Sequence, residues 1–156
     1  MYRSLSALAW FAVVGSLVAC APKSAGTVRL DQPAVAAVVG VLSPLDGDAV
    51  QALPDRVTDR LDGVLAARNL TARPIDLATA SGPLSRLQTT DQRAVWLAEN
   101  AGGARFIVLV EATPTYTTQI EGRFRWTVEV TSTIAPASDP TAGSSRSFRV
   151  PVFLQY

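Results

Sequence analysis

Two long apolar runs and a set of alternating segments organise this chain. Val35 to Leu42 and Phe106 to Val110 are almost continuously apolar and rich in valine or isoleucine. Runs of that length and composition predict strands buried on both faces. Between them Val50, Leu53, Val57, Leu61, Val64, Leu65 and Arg68 follow helical spacing. Pro54 is tolerable only near a first turn, which places the helix start around Leu53. Asn69 marks its end, and Leu70 to Leu77 alternates weakly as a second strand. Ser81-Gly82-Pro83 reads as a turn, with Leu84 and Leu87 on a short helical piece. Thr90 is the expected N-cap of a second helix carrying Ala94, Leu97, Ala98 and Ala101. Gly102-Gly103 supplies the left-handed residue that stops it.

The later part of the chain alternates. Pro114 ends or bends the Phe106 strand, and Tyr116 to Ile120 reads as a polar strand or turn. From Gly122 to Ile134, Phe124, Trp126, Val128 and Val130 point one way. Arg123, Arg125, Thr127, Glu129 and Thr131 point the other. Arg146 to Leu154 repeats the pattern through Phe148, Val150, Val152 and Leu154. Ala135 to Ser145, rich in Pro, Gly, Ser and Ala, is the expected hairpin loop. The order β-α-β-α-β-β-β predicts an α+β domain, with two helices packed on one face of a mixed sheet of about five strands. A terminal helix would cover this sheet well and none follows before Tyr156. Either a longer chain or a partner is expected to complete the sheet face.

A different kind of apolar run opens the chain. Met1-Tyr2-Arg3-Ser4 is followed by Leu5 to Val18, apolar apart from two serines and a glycine. That is short of the roughly 20 residues that cross a bilayer, so it reads as a cleaved signal peptide. Leu17-Val18-Ala19-Cys20 resembles a bacterial lipobox. The resemblance implies a diacylated Cys20 thiol, cleavage before Cys20 and acylation of the new amine. Two or more chains give stable anchoring where one gives marginal binding. Ala21, rather than Asp, follows the cysteine; by resemblance to enteric lipoproteins this implies transfer to the outer membrane. The expected organisation is residues 1–19 as signal, 20–33 as lipidated cysteine and flexible tether, and 34–156 as one periplasmic domain.

Charge and composition remove several classes of function. The chain has 14 basic and 13 acidic side chains and no histidine. Cleavage before Cys20 removes Arg3 and leaves a neutral domain, with no electrostatic reason to bind nucleic acid. Without histidine the commonest general base and metal ligand are missing. Cys20 is the sole cysteine, so no intramolecular disulfide forms, and acylation removes its thiolate. No cofactor or metal is expected.

Few residues remain as candidates for chemistry. Asp55, Asp59 and Asp62 share one face of the first helix, where a solvated, mixed-charge surface is the expected outcome. Glu111 ends the most apolar strand. Paired with Asp76 it would be the basis of a carboxylate hydrolase, which requires both to line one concave pocket. Asp46-Gly47-Asp48 lacks the ligand set of a calcium loop and reads as a turn and helix cap. Gly102-Gly103 ends a helix, whereas a phosphate loop opens one. No serine lies in a Gly-x-Ser-x-Gly elbow. Trp96, Trp126, Phe106, Phe124 and Phe148 fit core positions; Tyr116, Phe153 and Tyr156 fall where exposure is expected and where a partner could be anchored.

The segment from Ala94 to Leu109, a helix ending in Gly-Gly-Ala before an aromatic-led apolar strand, carries a family resemblance. It resembles the N-terminal domain of the Tol–Pal translocation protein, the curli-secretion lipoprotein, the exopolysaccharide-export lipoprotein of Pel systems and lipoprotein activators of penicillin-binding proteins. The resemblance implies a fold whose work is done by surfaces and transfers no site residues. The leading expectation is a non-enzymatic, lipid-anchored envelope protein that binds a periplasmic or membrane partner. A self-assembling subunit of a secretion or export ring is the first alternative, and the hydrolase the second.

Overall fold

A computed structural model describes residues 30–43, 49–120 and 123–155. Cys20 and the signal, Asp46-Gly47-Asp48 and Tyr156 lie outside them. The described elements run β1 (Ala34–Leu42), β2 (Gln51–Ala52), α1 (Asp55–Ala66), β3 (Leu70–Pro74), α2 (Leu77–Arg86), α3 (Thr90–Glu99), β4 (Phe106–Ile120), β5 (Arg123–Pro136) and β6 (Ser144–Gln155). Together they form an α+β fold, three helices on one mixed six-stranded sheet.

The apolar runs sit at the centre of that sheet. β1 pairs in parallel with β4, from Ala36 opposite Phe106 to Leu42 opposite Ala112. Its other edge is shared: β3 pairs in parallel with its first half, β2 antiparallel with its end. Beyond β4 the sheet continues antiparallel through β5 to β6. A strand buried on both faces needs cover on both. Ala37, Val39, Val41, Ile107 and Leu109 pack beneath Ala80 and Leu84 of α2 and Ala94 and Leu97 of α3. Ala36, Val38, Val108 and Val110 pack with Leu65 of α1 on the opposite face. The helices therefore divide between the two faces, where the sequence reading put them on one. The cause is the β1–α1–β3 crossover, which lays α1 on the face opposite α2 and α3. Leu84, Leu97, Ile107, Leu109 and Val41 are fully buried, each worth about 1.5–3 kcal/mol.

Local chemistry sets the boundaries. Pro54 is the N-cap residue of α1, so the helix proper begins at Asp55, and Val50 and Leu53 flank the short β2 instead of joining the helix. Asn69 takes a left-handed φ of 61° after α1. Asp76 caps α2 through the Ala78 N–H. That helix runs straight through Gly82 and Pro83, expected as a turn, because Ala80 and Leu84, four apart, are wholly buried. Pro83 removes one helical donor, and the burial of Leu84 outweighs it. Thr89, one residue before the expected cap, forms a capping box with Gln92 at the start of α3. Gly102 and Gly103 both have positive φ, 52° and 84°, and end that segment as the sequence reading required. β4 continues through Pro114 to Ile120, with a register irregularity between Tyr116 and Thr118. Among the described residues no helix is long and apolar enough to cross a membrane.

Candidate functional site

The outer three strands form a ribbon with two unlike faces. Residues opposite one another in an antiparallel ladder share a face. One face carries three rows: Ala112, Val130 and Phe148; Pro114, Val128 and Val150; Tyr116, Trp126 and Val152. The other carries Glu111, Thr131 and Ser147; Thr113, Glu129 and Arg149; Thr115, Thr127 and Pro151. The alternation read from the sequence is therefore real and continuous across strands.

The polar face satisfies itself. Thr131 and Ser147 share a hydrogen bond at 2.8 Å, Thr133 and Ser145 another at 2.7 Å. Arg149 Nε lies 3.5 Å from a Glu129 carboxylate oxygen.

The apolar face is only partly covered. Val128 and Val130 pack against the core beneath α1, but Phe148 is 54% exposed, Tyr116 46% and Val150 42%. Phe148, expected in the core, is thus at the surface. The expectation of a buried face failed because α1 lies over β1 and β3 and its cover stops before β6. Tyr116 meets Trp126 edge to face, ring centroids 5.4 Å apart, which holds both aromatics in fixed positions. Exposed apolar groups arranged in rows across strands mark interaction surfaces more often than isolated ones do.

The edges of the sheet carry partial protections against strand addition. β6 carries Pro151, which has no N–H to offer, together with Arg146 and Arg149. β2 and β3 are two and five residues long. Short strands, proline and charge are the usual protections of a sheet edge.

The carboxylates do other work. Glu111 is 5% exposed. Its two oxygens accept from Arg93 Nη1 at 2.5 Å and Thr90 Oγ1 at 2.6 Å. Arg93 Nε also donates to the Leu84 and Leu87 carbonyls. The cluster therefore joins α2, α3 and β4. Asp76 is exposed and engaged as a helix cap. Glu111 and Asp76 are thus each committed to separate structural partners, and they line no common described cavity. Asp55, Asp59 and Asp62 are all exposed on α1, as expected. Among the described residues no three His, Cys, Asp or Glu side chains gather as metal ligands. Sequence reasoning singled out Glu111 but missed Arg93, whose position i+3 from Thr90 on α3 was the available signal.

No family model matches the chain, and no curated protein matches it. Among solved structures it is similar to the LpoB C-terminal domain from Salmonella enterica, at 13% identity over 93% of this chain and 94% of that one, TM-score 0.37. It is similar also to lipoprotein GNA1162 from Neisseria meningitidis, at 14% identity over 76% and 84%, TM-score 0.43. A third is the PelC dodecamer from Paraburkholderia phytofirmans, at 15% identity over 77% and 74%, TM-score 0.37. At these identities and TM-scores the functional reading rests on this chain's own residues.

Proposed function

We propose that this chain is a lipid-anchored, non-enzymatic protein of the bacterial envelope that binds a periplasmic or membrane protein partner. The apolar face of the β4–β5–β6 ribbon carries this reading. A sheet face of this composition is stable in water only at a cost, and a partner removes the cost. The anchor at Cys20 and the outer-membrane address come from the lipobox and Ala21. The tether, residues 20–33, is short enough to keep the domain near the membrane. The commitment of Glu111 and Asp76 to structural bonds favours binding over hydrolysis.

The test is capture of the intact chain from gently solubilised native membranes, followed by mass spectrometry. A Cys20→Ala variant and a Phe148→Ser/Val150→Thr variant serve as controls. One envelope protein recovered with the unaltered chain, and lost with the second variant, is the expected result. Equal recovery with both, or recovery of the bait alone, would sink the reading.

A further inference from the structure

Three features of the uncovered face fix the shape and charge of what fits it. The first is size. Ala112 of β4 is buried and Val128 and Val130 of β5 are partly covered, so the open strip is the β6 side of the ribbon, where a helix packed beside α1 at the usual spacing of about 8–10 Å would lie. From Ser144 to Val152 the strip runs about 27 Å at strand rise, the length of a helix of about 18 residues. The opposite face of the sheet already carries two helices, α2 and α3, while this one carries only α1.

The second is the wall. At about 100° per residue, Asp55, Asp62 and Ala66 fall on one flank of α1. Val57, Val64 and Arg60 fall on the other, while Arg56 and Asp59 share the outward side and line one depression with Arg60. Asp62 and Ala66 line a shallow cleft with Leu70 and Thr71 of β3, so the acidic flank lies over β3. β3 and β4 lie on opposite sides of β1, so the second flank looks towards the open strip. Val57 and Val64 are 44% and 43% exposed there.

The third is charge. Arg146, opposite Ser132, stands on the apolar face of β6. Among the described residues the ribbon's carboxylates, Glu111 and Glu129, both lie on the other face. The strip therefore has an apolar floor and an arginine on each side, Arg60 on α1 and Arg146 on β6.

We infer that this strip is a groove for one amphipathic helix of a partner protein, with an apolar stripe and acidic flanks. The inference rests on the partner-binding reading and names the class of its partner. Helix-in-groove recognition supplies the binding, through burial of Phe148, Val150 and Tyr116 against the stripe. The arginine rims supply the preference for acidic flanks. The chain's own residues 20–29 are small or polar, with Val28 the one large apolar side chain among them, and do not complement the floor.

The probe is a fluorescent synthetic helix of about 18 residues, with leucines at helical spacing and glutamates on both flanks. A companion peptide carries lysines in place of the glutamates. The full chain, held in phospholipid nanodiscs, is titrated by anisotropy, with empty nanodiscs as background. Saturable binding of the glutamate peptide, at least about tenfold tighter than the lysine peptide, is expected. Phe148→Ser/Val150→Thr should weaken both, and Arg60→Glu/Arg146→Glu should reverse the preference. All four positions are exposed, so folding is checked by circular dichroism and is expected to hold. Equal binding of the two peptides, or none, overturns the inference. So does a homodimer in the nanodiscs that the apolar variant dissociates, which would give the face to a second copy. Quenching of tryptophan fluorescence by brominated lipid, relieved in the same variant, would give it to the bilayer. Successful capture of a membrane partner with no peptide preference would overturn the helix and leave the adaptor standing.

Discussion

The Glu111 carboxylate shows how little a residue's position in sequence says about its task. A buried acid at the end of an apolar run fits catalysis and structure equally well. What decides is Arg93, which reaches Glu111 while bonding two carbonyls at the end of α2. Removing one partner of such a pair leaves a buried charge without compensation, at a cost of about 3–5 kcal/mol. Glu111→Ala is expected to lower urea-unfolding stability by that order. The double variant Glu111→Ala/Arg93→Met should cost less than the sum of the two single changes, and strict additivity would show that the pair is not coupled. Asp139 is a milder case at the surface. The Thr141 hydroxyl, chiefly, and the Ala142 and Thr141 N–H groups hold its carboxyl below the usual range, against an opposing effect of desolvation. A depressed folded pKa contributes stability that is present above the unfolded value, about 3.9, and lost as pH falls through the folded one. NMR titration should find Asp139 protonating below that value, with the midpoint moving upward in Thr141→Val. An unshifted midpoint in the variant would show that the hydroxyl is not the cause.

Elements obeyed the sequence where burial and capping agreed, and departed where they conflicted. β1 and the apolar half of β4 were legible because fully buried strands leave continuous apolar runs. The end of α3 was legible because Gly102 and Gly103 take φ values that other residues resist. α2 was not, since Gly82-Pro83 is a turn signal and only the tertiary burial of Ala80 and Leu84 overrides it. The extension of β4 through Pro114 was hidden for a related reason: pairing with Val128 across the ribbon holds a residue that local rules treat as a breaker. The cap of α3 was misplaced by one residue because two adjacent threonines both fit; the reciprocal Gln92 bond selects Thr89. Thr89→Ala is accordingly expected to destabilise the domain by about 1 kcal/mol, and Thr90→Val to act separately through its bond to Glu111. A Thr89→Ala variant with unchanged denaturation would mean that the box contributes nothing to the fold.

At the scale of the molecule, the candidate site was legible as a pattern but not as a site. The sequence shows an apolar face on the last two strands; it cannot show that α1 stops short of covering it. Cover is a property of the crossover, which places α1 over β1 and β3 while the ribbon extends away on the other side. The two faces of the ribbon then diverge physically. Hydroxyl pairs and the Arg149–Glu129 ion pair cross the polar face, whereas the apolar face keeps Phe148, Tyr116 and Val150 in contact with water. Substitutions at exposed positions away from such networks change stability by about 0.5 kcal/mol or less. Phe148→Ser/Val150→Thr is therefore expected to leave the urea midpoint nearly unchanged while lowering the binding of an apolar dye such as ANS by the folded chain. A buried apolar pair behaves in the opposite way, losing stability by several kcal/mol and gaining dye binding as the core loosens. The sign of the dye change thus separates a surface kept for a partner from a core that the fold itself requires. A large loss of stability in this variant would return Phe148 and Val150 to the core and remove the groove with them.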